Sequence, residues 1–67
     1  MKATEIRQMT VQEIRERLAE DHDNLITLRF QLASSQLANT AQLDQVRKDI
    51  ARLQTILRER ELSGEQQ

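Results

Sequence analysis

The chain has 67 residues, which is enough for one small domain and leaves little room for a hydrophobic core. It has no cysteine and a single histidine, so disulfides, thiolate metal sites and clusters of histidine ligands are excluded. The formal net charge is −1, and no apolar run approaches the length needed to cross a bilayer. We therefore expect a small protein of the reducing cytoplasm, with no metal, cofactor or membrane span.

The composition favours helices over strands. Helix-forming residues (Leu, Ala, Gln, Glu and Arg) dominate, whereas proline is absent and there is one glycine and one aromatic residue. β-branched and aromatic residues are too sparse to build a sheet. The sequence predicts an all-α fold.

The first predicted elements are a short helical turn over residues 1–9 and a long helix over residues 10–33. Thr10 and Glu13 have the spacing of a capping box, and Met9 and Ile14 stand at the two positions of a hydrophobic staple. Apolar residues then recur every three or four positions, with Asp21 in one place where an apolar residue is expected. They are Val11, Ile14, Leu18, Leu25, Leu28 and Leu32.

A polar segment over residues 34–38 predicts a turn, and a second long helix is expected over residues 39–63. Asn39 and Gln42 repeat the capping-box spacing, and Gly64 is placed to end the helix in a left-handed conformation. The second apolar stripe comprises Leu43, Val46, Ile50, Leu53 and Leu57, widened by Ile56 and Leu62. Residues 64–67 are expected to form a frayed tail.

The short connection predicts that the two long helices lie antiparallel in a single domain over residues 1–67. The expected fold is an antiparallel two-helix hairpin, similar to a coiled coil, with a short N-terminal helical turn. The predicted pairs across the seam are Leu32 with Leu43, Leu28 with Val46, Leu25 with Ile50 and Leu18 with Leu57. So small a seam gives a net stability close to zero, and a binding partner is expected to add order.

Charge is distributed unevenly along the chain. Residues 1–28 carry four cations and six acids, whereas residues 29–60 carry six cations and three acids. A near-neutral total argues against a nucleic-acid binder, but the basic second half can still serve an anionic partner.

No catalytic constellation is present, so we expect no enzyme activity and no small-molecule substrate. His22 stands beside Asp21 and Asp23 on an exposed helix face, where a solvated polar surface is the simpler interpretation. Ser34 and Ser35 have no base near them and are typical of a turn.

The most informative polar residues lie on the second helix. Lys48, Arg52 and Thr55 are four and three residues apart and share a face, with Arg47 and Ala51 beside them. Arg and Lys bind phosphates, so this face suits an RNA backbone, although such a face is often only solvated. A free-standing coiled-coil adaptor that binds another helical protein is the alternative. The lone aromatic residue, Phe30, is typical of packing rather than base stacking.

Several segments resemble the bacterial large-subunit ribosomal protein twenty-nine family. They are M-K-A at residues 1–3, E-I-R at 5–7, L-R-F-Q-L-A at 28–33, Q-L at 36–37, N-T at 39–40 and V-R-K-D-I-A-R-L-Q-T at 46–55. The resemblance implies a helical hairpin that is a structural constituent of the large subunit and binds large-subunit ribosomal RNA. It also implies a cytoplasmic location on the ribosome near the peptide tunnel exit. The neighbour there is large-subunit protein twenty-three, and nascent-chain factors such as the signal recognition particle dock at that rim.

Matching positions carry the family's RNA contacts onto this chain. The implied RNA-binding residues are Arg29, Gln36, Asn39, Arg47, Lys48, Arg52 and Thr55. The chain departs from the family at Ser35, where glycine is usual, and at Asp44, where a basic or small residue is usual. Asp44 is expected to remove one phosphate contact. The acidic excess of the first helix is expected to face away from the RNA.

Overall fold

The computed structural model describes residues 1–35 and 39–64, which form three helices. They are α1 (Ala3–Arg7), α2 (Val11–Ala33) and α3 (Ala41–Leu62). The two long helices pack against each other, and α1 packs against α3. The predicted all-α hairpin with a short N-terminal helix is therefore confirmed. Part of the predicted turn (residues 36–38) and most of the predicted tail (65–67) lie outside the described residues.

Helix α2 begins where the sequence predicts because the capping box forms. The Glu13 amide donates to Thr10 Oγ1 at 3.1 Å, and the Thr10 amide donates to Glu13 Oε1 at 3.4 Å. Two amides that have no partner within the helix are thereby satisfied. At the other end, Ser35 follows the helix with a φ of 60°, a left-handed conformation that favours glycine.

The N-cap of helix α3 lies one residue later than predicted. The expected capping box from Asn39 to Gln42 is wrong: Thr40 is the N-cap, and it makes no side-chain capping bond. Asn39 Oδ1 instead accepts from the Ala41 amide at 2.8 Å, the short-range bond by which asparagine forms turns. At the C-terminal end, Gly64 has a φ of 89°, which confirms the predicted left-handed end.

The dimensions of the molecule show that α2 and α3 lie side by side. The principal extents are 44 × 18 × 15 Å. Two helices of this length placed end to end would span about 68 Å at the usual rise of about 1.5 Å per residue. The chain therefore folds back on itself, and its width is that of two helices.

The core consists of two apolar clusters, one toward each end of the hairpin. The turn-end cluster comprises Leu25, Leu28, Leu43, Val46 and Ile50, and the closed-end cluster comprises Ile6, Ile14, Leu53 and Ile56. Leu18 packs against both and joins them. The predicted pairs Leu25–Ile50 and Leu28–Val46 thus fall within one cluster, as antiparallel packing requires.

Three apolar side chains expected to be covered are exposed. Leu32, predicted to face Leu43, is 41 % exposed, and Phe30, interpreted as a packing residue, is 70 % exposed. Leu62, expected to widen the second stripe, is also exposed. Leu32 lies opposite the very start of α3, where too little helix stands to cover it. Phe30 lies two residues from both Leu28 and Leu32, about 200° around the helix, so it faces away from the seam.

Helix α1 is held on α3 at both of its ends. Ile6 is fully buried in the closed-end cluster. The Arg60 guanidinium donates to the backbone carbonyls of Arg7 and Met9, at the C-terminal end of α1. Carbonyls at that end have no partner within the helix, so Arg60 satisfies them and interacts favourably with the helix dipole. Near the other end, the Met1 ammonium lies 3.0 Å from Asp49 Oδ1.

One carboxylate is buried in the seam between the long helices. Asp21 occupies the position at which the apolar stripe of α2 is interrupted. Its Oδ1 accepts from Arg17 Nε at 3.2 Å, whereas its Oδ2 is buried and has no partner among the residues that the structure describes. A buried oxygen without a donor is destabilising, so this position is a local weakness of the seam.

Candidate nucleic-acid interface

The outward face of α3 carries an open depression between cations. Asp44, Arg47, Lys48 and Ala51 line this depression, which has a volume of about 440 Å³. The small side chain of Ala51 lowers the surface between longer neighbours, so a nucleic-acid backbone can approach the helix. Within residues 1–35 and 39–64, neither Arg47 nor Lys48 forms an ion pair. Both charged groups are therefore exposed to an incoming phosphate.

Two further predicted residues lie where α3 meets α1. Arg52 and Thr55 line a groove of about 160 Å³ together with Arg7 and Glu59. Arg52 Nη1 donates to the Met1 carbonyl at 3.2 Å and lies 3.7 Å from Asp49 Oδ1. The side chain of Arg52 keeps 44 % of its surface exposed. It is thus held through one guanidinium nitrogen while much of the side chain faces solvent.

Local hydrogen bonds decide what two polar side chains can offer a ligand. Thr55 Oγ1 donates to the Ala51 carbonyl at 2.8 Å, so its remaining capacity is that of an acceptor. An acceptor suits an RNA 2′-hydroxyl better than a phosphate. Asn39 Oδ1 is occupied by the Ala41 amide, which leaves the side-chain NH₂ group as a donor for phosphate.

The structure brings some predicted residues together and leaves others apart. Arg47, Lys48, Arg52 and Thr55 lie along α3. Arg29 is exposed on the last turns of α2, and Asn39 is exposed just before α3. Gln36 lies outside the described residues.

Sequence reasoning missed three residues beside this face. Asp49, treated only as part of a motif, is a buried carboxylate next to Arg52. Gln45 Nε2 donates to that carboxylate at 3.2 Å. Arg7 reaches the groove only because α1 packs on α3. Gln45 and Asp49 are four residues apart, a spacing from which their hydrogen bond could have been predicted. No short-range sequence pattern predicts that Arg7 lies beside this groove.

Comparison with known proteins decides the family. The model of the ribosomal L29 protein family matches residues 4–60. This chain belongs to that family. It is 56 % identical over 64 residues to large ribosomal subunit protein uL29 of Geobacillus stearothermophilus, covering 96 % of this chain and 97 % of the relative. It is 57 % identical to the uL29 protein of Natranaerobius thermophilus over 63 residues, covering 94 % and 97 % of the two chains.

Membership of the L29 family makes the chain a ribosomal protein, as the resemblance implied. The curated relatives are named as ribosomal subunit proteins and not as enzymes. In the part of the chain that the structure describes, no helix is both long and apolar enough to cross a membrane. Over the same residues no group of three or more acidic or histidine side chains is arranged to hold a metal ion.

Proposed function

We propose that this L29 family member is a structural constituent of the large ribosomal subunit and binds large-subunit ribosomal RNA through the outward face of α3. The observation that carries the proposal is the open depression in which Arg47 and Lys48 flank Ala51 and have no ion-pair partner among the described residues. Phosphate oxygens accept hydrogen bonds from both cations, and Arg binds phosphate in a bidentate fashion. The RNA-binding residues are Arg29, Gln36, Asn39, Arg47, Lys48, Arg52 and Thr55.

Recognition by this face depends on the shape of the RNA. The available groups are cations, a hydroxyl acceptor at Thr55 and an amide donor at Asn39, which suit phosphates and 2′-hydroxyls. The lone aromatic residue stands on α2 rather than on this face. Backbone contacts therefore set the register, and base sequence contributes little.

The family resemblance supports a more specific location. We place the hairpin in the cytoplasm on the outer surface of the large subunit, near the peptide tunnel exit and beside large-subunit protein twenty-three. Helix α2 carries an acidic excess, and its exposed residues include Glu16, Glu20 and Asp23. That face points away from the RNA and toward proteins at the rim, nascent-chain factors among them.

Sedimentation of the tagged protein in cell lysate tests the ribosomal assignment. At moderate salt the protein is expected to travel with the large subunit, and at high salt it is expected to be stripped, because phosphate contacts release counterions. A protein that stays at the top of the gradient at moderate salt would overturn the proposal and favour a coiled-coil adaptor.

Matched substitutions locate the contact surface. Arg47→Gln and Lys48→Gln are each expected to lower the slope of log affinity against log salt by roughly 1, because each removes one phosphate contact. The control is Arg15→Gln, an exposed arginine of α2 whose loss changes the net charge equally. Equal effects of Arg47→Gln and Arg15→Gln on affinity and slope would place the RNA on another surface.

A further inference from the structure

A buried carboxylate lies directly beside the basic face of α3. Asp49 is 8 % exposed, and its Oδ1 accepts from Gln45 Nε2 at 3.2 Å. The same oxygen lies 3.7 Å from Arg52 Nη1 and 3.0 Å from the Met1 ammonium. A single oxygen atom thus gathers donors from two turns of α3 and from the segment that leads into α1.

Asp49 is unfavourable for RNA binding if only its charge counts. A carboxylate next to a phosphate-binding face repels the ligand, as Asp44 does from its exposed position on the same helix. Burying a carboxylate also costs free energy unless charged or polar donors surround it. The contacts of Asp49 indicate what it contributes in return, which is the placement of its neighbours.

Arg52 is the cationic neighbour of Asp49 on the basic face itself. Its Nη1 is fixed between Asp49 Oδ1 and the Met1 carbonyl, and 44 % of the side chain stays exposed. Arg47 has no such ion pair within the described part of the chain. A long side chain that is already ordered loses less conformational entropy when it binds, so Arg52 is pre-organised whereas Arg47 is not.

We propose that Asp49 is a positioning residue for RNA binding, which holds Arg52 and Gln45 at the α1 side of the basic face. This inference rests on the proposed function of that face. Because Gln45 Nε2 donates to Asp49, its Oε1 is left as an acceptor for a 2′-hydroxyl. Gln45 is accordingly a further RNA contact. Because Arg52 also binds the Met1 carbonyl, the docking of α1 helps to place a phosphate-binding group.

The test compares two substitutions that remove the same charge. Purified full-length variants are titrated against deproteinised large-subunit ribosomal RNA. Asp44→Asn removes an exposed repulsive charge and is expected to tighten binding by about two- to threefold. Asp49→Asn is expected to weaken binding by about tenfold, although it also removes a negative charge. If Asp49→Asn binds as tightly as the unmodified chain, or more tightly, the positioning role is overturned.

A double-mutant cycle shows whether Asp49 acts through Arg52. In the Arg52→Gln background, Asp49→Asn is expected to lose most of its effect on RNA affinity, because the group it positions is gone. An undiminished tenfold loss in that background would overturn the role. If the unmodified chain does not bind the RNA at all, the proposed function itself fails. That result differs from one in which the chain binds RNA and Asp49→Asn leaves the affinity unchanged.

Folding is followed by circular dichroism of each variant. If Asp49→Asn loses helicity, the test is made on the unmodified protein instead. There, ¹⁵N relaxation measures how ordered each arginine side chain is. The Arg52 guanidinium is expected to be more ordered than that of Arg47 in the free protein. Equal disorder of the two groups would overturn the proposal without any substitution at Asp49.

Discussion

The two ends of the hairpin are built differently. At the closed end three helices contribute side chains, and Ile6, Ile14 and Leu53 are fully buried. At the turn end only α2 and α3 contribute, and every member of the cluster keeps between 3 % and 9 % of its surface exposed. Leu32 and Phe30 are exposed beside the turn-end cluster.

This difference separates the better-packed end of the hairpin from the end that carries most of the proposed RNA contacts, although Arg52 and Thr55 lie beside α1. The closed end is covered by α1, which Arg60 fastens to α3. The turn end has weaker packing and carries Arg29, Asn39 and Arg47. A ligand that binds only the folded chain adds stability by mass action. We expect ribosomal RNA to order the turn end more than the closed end.

The largest expected effect is on the packing of the closed end. Leu53→Ala should lower the free energy of unfolding by about 4 kcal/mol, because a fully buried leucine leaves a cavity between three helices. Leu43→Ala, at the turn end, should cost about 2 kcal/mol, because its site is less enclosed. Because the hairpin is expected to be marginally stable, urea unfolding is followed by circular dichroism in a stabilising osmolyte such as TMAO, so that each variant starts folded. Equal losses would mean that the two ends are packed alike.

The attachment of α1 is the second difference to test. Arg60→Gln should destabilise the hairpin by about 2 kcal/mol, because two carbonyls lose a charged donor. Amide hydrogen exchange should accelerate first in α1, while the turn end is affected little. The matched control is Arg58→Gln, an exposed arginine two residues earlier on α3. Uniform acceleration along the chain would show that α1 is not a separately attached element.

Two local signals predict helix ends correctly, although the equally local spacing of Asn39 and Gln42 predicts a capping box that does not form. Thr10 and Glu13 are three residues apart, and the capping box that they form starts α2 at the predicted place. Gly64 adopts its left-handed conformation for an equally local reason. Arg60, in contrast, donates to the carbonyl of Met9, which is 51 residues away in the sequence. Sequence periodicity does not predict a hydrogen bond from a charged side chain to so distant a carbonyl. The attachment of α1 to α3 was therefore not predictable.

The candidate site shows the same limit. The stripe of Lys48, Arg52 and Thr55 follows from helical spacing, and the structure places all three along α3. The burial of Asp49 does not follow from spacing, because it depends on the segment around Met1 that packs over it. The exposure of Phe30, in contrast, follows from helical spacing, because it lies two residues from both Leu28 and Leu32 and so on the side of α2 away from the seam.

The seam between the two ends can be improved. Asp21→Leu should raise the free energy of unfolding by about 1 kcal/mol, because it removes a buried oxygen without a donor and restores the apolar stripe. The side chain of Arg17 is 42 % exposed, so its guanidinium can be solvated once its partner is gone. Asp23→Leu, at an exposed position of the same helix, is the control and should change stability by less than about 0.5 kcal/mol. A loss of stability in Asp21→Leu would show that the Arg17–Asp21 pair is net stabilising.

The smallest expected effect lies at the end of α2 nearest the connection. Ser35 has a φ of 60°, which strains a residue with a side chain, and the resemblance indicates that glycine is usual there. Ser35→Gly should stabilise the hairpin by about 0.5 kcal/mol, because relief of this strain slightly exceeds the added entropy of the unfolded chain. Ser34→Gly is the neighbouring control: with a φ of −92° it has no such strain, and it also loses the bond from its Oγ to the Phe30 carbonyl, so it should destabilise by about 0.5–1 kcal/mol. Thermal unfolding of the two variants should therefore shift in opposite directions, and shifts of the same sign would mean that strain at Ser35 does not weaken the turn end.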